Sequence, residues 1–569
     1  MGYIPDGIVD VALSKTGPLE DGRYPGFRPS RTVHEGFLKD TDVEVQLRDG
    51  TKIYVDIFRP LEEHTSTPTL IAWSPYGKHG LKNLGMMPGA DVDPSWISKD
   101  VIWEGPDPAF WCERGYTIVS PDPRGSWMSE GTLTFFSHQE ALDGYDVIEW
   151  IADQPWSNGR VGMLGVSYLA ISQWFIAATR PPSLAAICPW EGVSDIYREL
   201  FFHGGIPEER FLNWWQEKSR WSMNPAEDVI EMVARHPLRD AYWSSKDIEL
   251  ERIQAPALVV ASWSDQGMHT RGTLEGFKRI GSKQKWLRVH GQKKWKDFYE
   301  PASVARQLAF FDHFLRGKDT GIESWSPVEI EVRESNELIA ARPETNWPLE
   351  ATEPWKLYLE ASTRRLQQSA PSTPGESTFD AKGPNDSVAF EYTFNEDTEL
   401  TGGSKLHLVA SADEASEMDI FVALRKLDSQ RNEIAFNYYS TFSSGPAALG
   451  WLRGTHRRLL PSSTELQPVH DHENPVPIEP GQIVELEIEI WPTSVLYRAG
   501  EHLQLIVSAA DIYNFESGAP ELRHASANVG TMRIISSPDN PSFLLLPKIP
   551  QQPRQTTRGI SRHEVSDGA

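Results

Sequence analysis

Residues 162–178, GMLGVSYLAISQWFIAA, decide the fold. An apolar run reaches Gly165, Ser167 takes the corner, and a helical pattern starts at the next residue. That is a strand, a tight turn and a helix in immediate succession. Small residues before the corner let a serine adopt a strained backbone with its hydroxyl exposed at the carboxyl end of a sheet, as in a nucleophile elbow. The full G-x-S-x-G string would place glycine at 169, where this chain has Leu169. The bland alternative, a serine capping a core helix, explains the hydroxyl but not the apolar strand leading into it.

Outward from this stretch, residues 43–317 alternate short apolar runs with helical ones, the pattern of an α/β domain with a mainly parallel sheet. The expected strands are 69–73, 116–120, 160–165, 185–188, 257–261 and 285–289. Helices are expected at 137–153, where Ser137 and Glu140 have capping-box spacing, and at 303–316, closed by Gly317. In the first, Leu142, Tyr145, Ile148 and Ile151 share a face; in the second, Val304, Leu308, Phe311 and Leu315 do. Residues 195–251 interrupt the alternation with several helices rich in Trp, Arg and Glu, as a cap over a site would. After about residue 319 the period becomes two, with VEIEV at 328–332 and VELEIEI at 484–490 reading as half-buried antiparallel strands.

The expected division is an N-terminal arm (1–42), a hydrolase core in two parts (43–194 and 252–318) split by a helical cap (195–251), a jelly-roll β-sandwich (319–550) and a polar tail (551–569). A chain of 569 residues has room for such a plan at about 150 residues per domain. The 80 acidic and 55 basic residues leave a formal charge of −25, which repels nucleic acid and anionic lipid surfaces. No stretch reads as a secretory leader or a membrane span, and Cys112 and Cys188 sit in apolar runs without disulfide or zinc spacing. A cytoplasmic protein without membrane or nucleic-acid partners is therefore expected; homo-oligomerisation is left open. The 21 tryptophans are the compositional oddity, and Trp214, Trp215, Trp221 and Trp243 fall in the cap.

A serine needs a base, and the base needs a carboxylate to hold its tautomer. In the order nucleophile, acid, histidine, ALVVASWSD delivers Asp265 at the end of one late strand and KWLRVHG delivers His290 at the end of the next. His290 is preferred as base, His269 is second and His203 third. The backbone N–H of Tyr168 is one oxyanion donor, and Tyr76, in the loop after TLIAW, is the candidate for the other. Trp190, Glu191, His203 and His269 are candidates for lining the substrate pocket. His470, Asp471 and His472 form a string that suits a metal but lacks a recognisable third ligand, so no metal is assigned and no cofactor is required.

These pieces resemble the CocE/NonD hydrolases, the group that includes cocaine esterase, cephalosporin acylases, α-amino acid ester hydrolases and the X-Pro dipeptidyl-peptidases. The resemblance rests on SPYGK (74–78), DPRGSWMSEG (122–131), QPWSNGRVGMLGVSYLA (154–170), ASWSD (261–265), FFDHFLRG (310–317) and PTSVLYRAGEHLQLIVS (492–508). It implies an α/β-hydrolase domain with a cap, a C-terminal jelly roll, and a triad with Ser167 as nucleophile, Asp265 as acid and Tyr76 with the Tyr168 amide as oxyanion hole. The family's histidine stands a few residues beyond the last strand, where an ungapped match puts Lys294; His290 is expected to swing in instead. The expected substrate is a small carboxylic ester or amide. Two other readings stay open: an acylase or X-Pro-type peptidase using Glu191 or Asp195 to hold a substrate amine, and an inactive protein that binds through its jelly roll.

Overall fold

The computed structural model describes residues 11–14, 26–62, 66–78, 89–219, 222–381, 386–513 and 522–550. Trp221 and the tail at 551–569 lie outside them.

The first domain is built on one sheet. Its strands are β1 (Phe37–Gln46), β2 (Lys52–Pro60), β3 (Thr67–Ile71), β4 (Thr117–Asp122), β5 (Ser157–Val166), β6 (Leu184–Trp190), β7 (Ala257–Ser262), β8 (Lys285–His290) and β9 (Val328–Arg333). The spatial order is β1-β2-β4-β3-β5-β6-β7-β8-β9. Pairing is antiparallel up to β4 and parallel from there to β9. The six expected strands are all present, because each is an apolar run buried on both faces, as parallel strands under helices must be.

Helix α1 (His138–Ala152) begins at Ser137, whose side chain accepts from the Glu140 N–H at 3.1 Å. It buries Ala141, Gly144, Val147, Ile148 and Ile151, while Leu142 and Tyr145 are only half-buried. Gly144 is where the next helix presses closest, since a Cβ there would meet Ile176 Cδ1 at 2.3 Å. That neighbour, α2 (Tyr168–Ala178), is buried along its whole length, as a helix apolar on every side should be. The long helix α7 (Pro301–Arg316) ends at Gly317 with φ 67°, the left-handed residue expected of it. It turns Phe310, Phe311 and Leu315 to the core and leaves Val304 and Leu308 half-buried.

Between β6 and β7 the chain forms the expected insertion, with α3 (Arg210–Ser219) and α4 (Val229–Arg235). After β7 and β8 come α5 (Thr270–Arg279) and α6 (Lys294–Tyr299). No described helix is long and apolar enough to cross a membrane.

Beyond residue 334 the regular structure of the described residues is mostly antiparallel strand. Strands β10 (Thr398–Ala412) and β11 (Asp419–Leu427) pair with β15 (Val484–Tyr497) and β14 (Ala448–Arg453), and β16 (His502–Ser508) flanks β11. A hairpin of β12 (Phe436–Tyr438) and β13 (Phe442–Gly445) projects from this domain. Strand β15 shows the alternating burial expected of VELEIEI. VEIEV is antiparallel on one side only: β9 pairs antiparallel with residues 339–344 and in parallel with β8, and it buries Glu331, which accepts from the Gly291 N–H at 2.9 Å. The first sheet therefore runs past residue 318, with the Glu331 carboxylate finding a backbone donor instead of solvent.

Candidate active site

The turn after β5 has the conformation its sequence demands. Ser167 has φ 59° and ψ −119°, a sparsely populated region for a residue with a side chain, of the kind that persists only where the surroundings over-determine it. Here they do. The Ser167 N–H donates to the carbonyls of Trp190 and Glu191, each at 3.1 Å, and the Ser167 carbonyl accepts from Ala170 and Ile171, each at 2.9 Å. Glycine is required at 165, because a Cβ would stand 2.4 Å from Leu169 Cβ and 3.0 Å from the Glu104 carbonyl. Leu169, at the position where the fuller motif has glycine, is thus packed against the glycine that precedes the serine.

The imidazole facing the serine belongs to His269. Its Nε2 lies 3.2 Å from Ser167 Oγ, and its Nδ1 is hydrogen-bonded to Asp265 Oδ2. Asp265 and His269 share one turn: the N–H groups of Met268, His269 and Thr270 all reach the Asp265 carbonyl at 3.2–3.3 Å. This turn, opening α5, puts both side chains on the cleft side.

His290, the expected base, is elsewhere. It closes β8 in register with Ser262 of β7, so its ring stays in the sheet layer, fully buried. Its Nε2 is 3.1 Å from Glu191 Oε1 and 3.4 Å from Asp297 Oδ2, and its Nδ1 accepts from the Gln292 N–H at 3.2 Å. Both ring nitrogens are engaged behind the site. A residue directly at a strand end has no loop with which to swing over the serine, and that is why the expectation fails.

Lys294, at the start of α6, completes the surroundings of the acid. Its Nζ lies 3.4 Å from Asp265 Oδ2 and 3.5 Å from His269 Nδ1, and Ser440 of the β domain donates to Asp265 Oδ1 at 3.3 Å. Burial disfavours the Asp265 charge, but Lys294 and His269 override it and hold the carboxyl well below the usual range. Burial and then Lys294 push His269 down to about 4, against the opposing pull of Asp265. The imidazole is therefore neutral at pH 7, as a general base must be.

Tyr76 stands over the same space. Its hydroxyl accepts from Trp215 Nε1 at 3.1 Å, with Ser167 as its other polar neighbour. Burial and the nearby Glu104 push its ionisation well above the ordinary value, so the phenol keeps its proton. Tyr168 begins α2, and a first-turn N–H has no intrahelical acceptor. The Tyr168 side chain is anchored away from the serine, donating to Glu140 Oε2 at 2.8 Å. Glu140 also accepts from Trp73 Nε1 at 2.9 Å and from the Phe136 N–H at 3.2 Å. The carboxyl of the capping-box residue is thus spent on holding the elbow's aromatic residue, and burial pushes it up to about 7.

A cavity opens beside Ser167, walled by Trp214 and Trp215 of α3, Trp295 of α6 and the 439–441 turn of the β12–β13 hairpin. None of the four expected pocket residues is among those lining it: His269 instead meets Ser167. Trp190 is buried edge-on against Phe298, Glu191 is engaged with His290, and His203 lies between the cap and the β domain, its Nδ1 2.8 Å from His524 Nε2. Asp195 is paired with Arg198 at 2.5 Å. Glu104 was not expected: it lines the cavity, one oxygen accepting from Trp295 Nε1 at 3.0 Å, and burial pushes it up to about 7. Glu191, Asp265 and His269 also bring ligand-type atoms together, but Asp265 and His269 are already joined to each other. His472 Nδ1 faces His456 Nδ1 at 2.9 Å; among the described residues the 470–472 string belongs to no three-ligand group.

The chain matches known families over both of its halves. Residues 49–293 match the X-Pro dipeptidyl-peptidase (S15) family and residues 320–545 the X-Pro dipeptidyl-peptidase C-terminal non-catalytic domain. Cocaine esterase of Rhodococcus sp. (strain MB1 Bresler) is 25% identical, covering 90% of this chain and 98% of its own. A putative Xaa-Pro dipeptidyl-peptidase of Bacillus anthracis is 23% identical over 87% and 86%. Among solved structures, a CocE/NonD family hydrolase from Staphylococcus aureus superposes with a TM-score of 0.87 at 37% identity, covering 90% of this chain and 94% of that one.

Proposed function

The chain belongs to the CocE/NonD family of hydrolases, and from that premise we propose that it cleaves a carboxylic ester with a Ser167–His269–Asp265 triad. We read the architecture accordingly as an α/β-hydrolase domain with a helical cap, followed by a jelly roll that closes one wall of the pocket. The two cysteines, buried and unpaired, suit a reducing compartment such as the cytoplasm.

The observation that carries the reading is the continuous path from a strained serine through His269 to a buried carboxylate. His269 Nε2 takes the Ser167 proton as Oγ attacks the carbonyl carbon. The carbonyl oxygen becomes an oxyanion that the Tyr76 hydroxyl and the Tyr168 N–H are placed to receive. Asp265 keeps the Nδ1–H tautomer and stabilises the imidazolium. The proton passes to the departing alcohol, leaving Ser167 acylated; water, deprotonated by His269, then releases the acid and restores the serine.

The inactive reading drew on Lys294 standing where the family has a base, and His269 supplies an imidazole to the serine from another element. The acylase or peptidase reading is consistent with the same family matches; the two carboxylates named as examples of an amine holder, Glu191 and Asp195, are engaged within the protein. A fluorophosphonate probe tests the proposal: it should label the wild-type protein and not S167A. Folded wild-type protein that resists the probe and hydrolyses no ester would overturn it.

A further inference from the structure

Lys294 is a buried cation that the mechanism above does not use. It is 3% exposed, and its Nζ and the His269 Nδ1–H converge on the same carboxylate oxygen, Asp265 Oδ2, at 3.4 Å for the lysine. An ammonium group has donors and no acceptor, and an ionised carboxylate only accepts, so Asp265 Oδ2 is the acceptor that both Lys294 and Nδ1 reach. By keeping Asp265 ionised, Lys294 keeps Nδ1 protonated toward it and the lone pair on Nε2 toward Ser167.

We infer that Lys294 is a positioning residue of this site: it fixes the tautomer of His269 through Asp265 and keeps the base unprotonated in acidic solution. The inference rests on the triad proposed above. Its physical basis is charge. A second proton on His269 would create an imidazolium 3.5 Å from the ammonium group, with one carboxylate to serve both, inside a site where burial magnifies the repulsion.

The other groups facing this pair do not offset that repulsion equally. Ser440, from the β domain, contributes a neutral hydroxyl to Asp265 Oδ1. Tyr76 and Tyr439 are phenols whose ionisation burial pushes well above the ordinary value. Glu191, at the end of β6, is pushed up by burial and by the charge of Asp265 and is engaged with His290. Asp297 of α6 is spent on Arg288, at 2.5 Å. Lys218 of α3 lines the far wall and adds positive charge. Glu104 alone is a countercharge that titrates in the working range, up at about 7 through burial although Lys294 pulls it down.

The test is the acid limb of kcat/KM for hydrolysis of a p-nitrophenyl ester, from about pH 4 to pH 8. In wild-type protein the limb is expected well below the ordinary histidine value of about 6.5. In K294M and K294Q it should move up by about one unit or more, and K294R, which keeps the charge, should leave it in place. E104Q, which removes the neighbouring titration, should also leave it in place. A wild-type limb at or above the ordinary histidine value overturns the inference without any variant. So does a limb unmoved in the two neutral variants, or one that moves with E104Q alone. Fluorophosphonate labelling of wild-type protein separates the two levels: no labelling defeats the hydrolase reading, whereas labelling with an unmoved limb defeats only the role of Lys294.

Discussion

Two buried histidines stand at the carboxyl ends of neighbouring strands, each against a carboxylate, and only one faces the serine. His269 follows β7 by one turn and opens α5; His290 is the last residue of β8. The turn carries His269 above the sheet, where Nε2 meets Ser167 Oγ at 3.2 Å. The strand holds His290 in the sheet layer, tied to Glu191 at 3.1 Å. At a strand's end, a few residues of loop decide whether an imidazole acts on a substrate or fills the core.

This contrast predicts different losses at the two positions. S167A and H269A should each lower kcat/KM by roughly 10⁴- to 10⁶-fold with thermal stability near wild type. A loss under tenfold in H269A, measured on folded protein, would break the comparison. D265N should cost about 10⁴-fold, because an amide can stabilise the wrong tautomer; kcat from steady-state assays reads this. Y76F should cost about 10²- to 10³-fold in kcat if the phenol is an oxyanion donor, and an unchanged kcat would remove it from that role. H290A should show the opposite balance: a stability loss of about 2–4 kcal/mol in urea unfolding, from buried carboxylates left without their partner, and kcat/KM within about tenfold of wild type. S440A should have the smallest effect, below about tenfold in kcat, the worth of one hydrogen bond to the acid.

The elbow was legible because its parts are contiguous. An apolar strand, Gly165, Ser167 and a helix leave little freedom, and the same local reasoning placed Asp265 after β7 and Tyr76 after β3. The base was not legible by the same route, since chain order favoured the histidine on the following strand. The signal that favours His269 is its spacing from Asp265, four residues apart at the opening of a helix, which brings two side chains to one face.

Trp190 and Glu191 were read as pocket residues for the reason that misplaced His290: residues at a strand end belong to the layer beneath the cleft. Glu140 has the spacing of a capping box, yet its carboxyl serves Trp73 and Tyr168, partners distant in the chain. Glu104, Trp295 and the 439–441 turn reach the cavity from three separate elements. Nothing local to any of them announces the others. The aromatic cap was visible in composition, and Trp214 and Trp215 do line the cavity, whereas Trp174 and Trp263 are core.

In the proposed triad His269, not His290, deprotonates Ser167. Pre-steady-state acylation by a p-nitrophenyl ester is the sharpest test, because the rate of the burst reports attack by the serine ahead of a slower deacylation. The account predicts that H269A loses the burst and H290A, where folded, keeps it. A burst that survives in H269A and vanishes in folded H290A would contradict it.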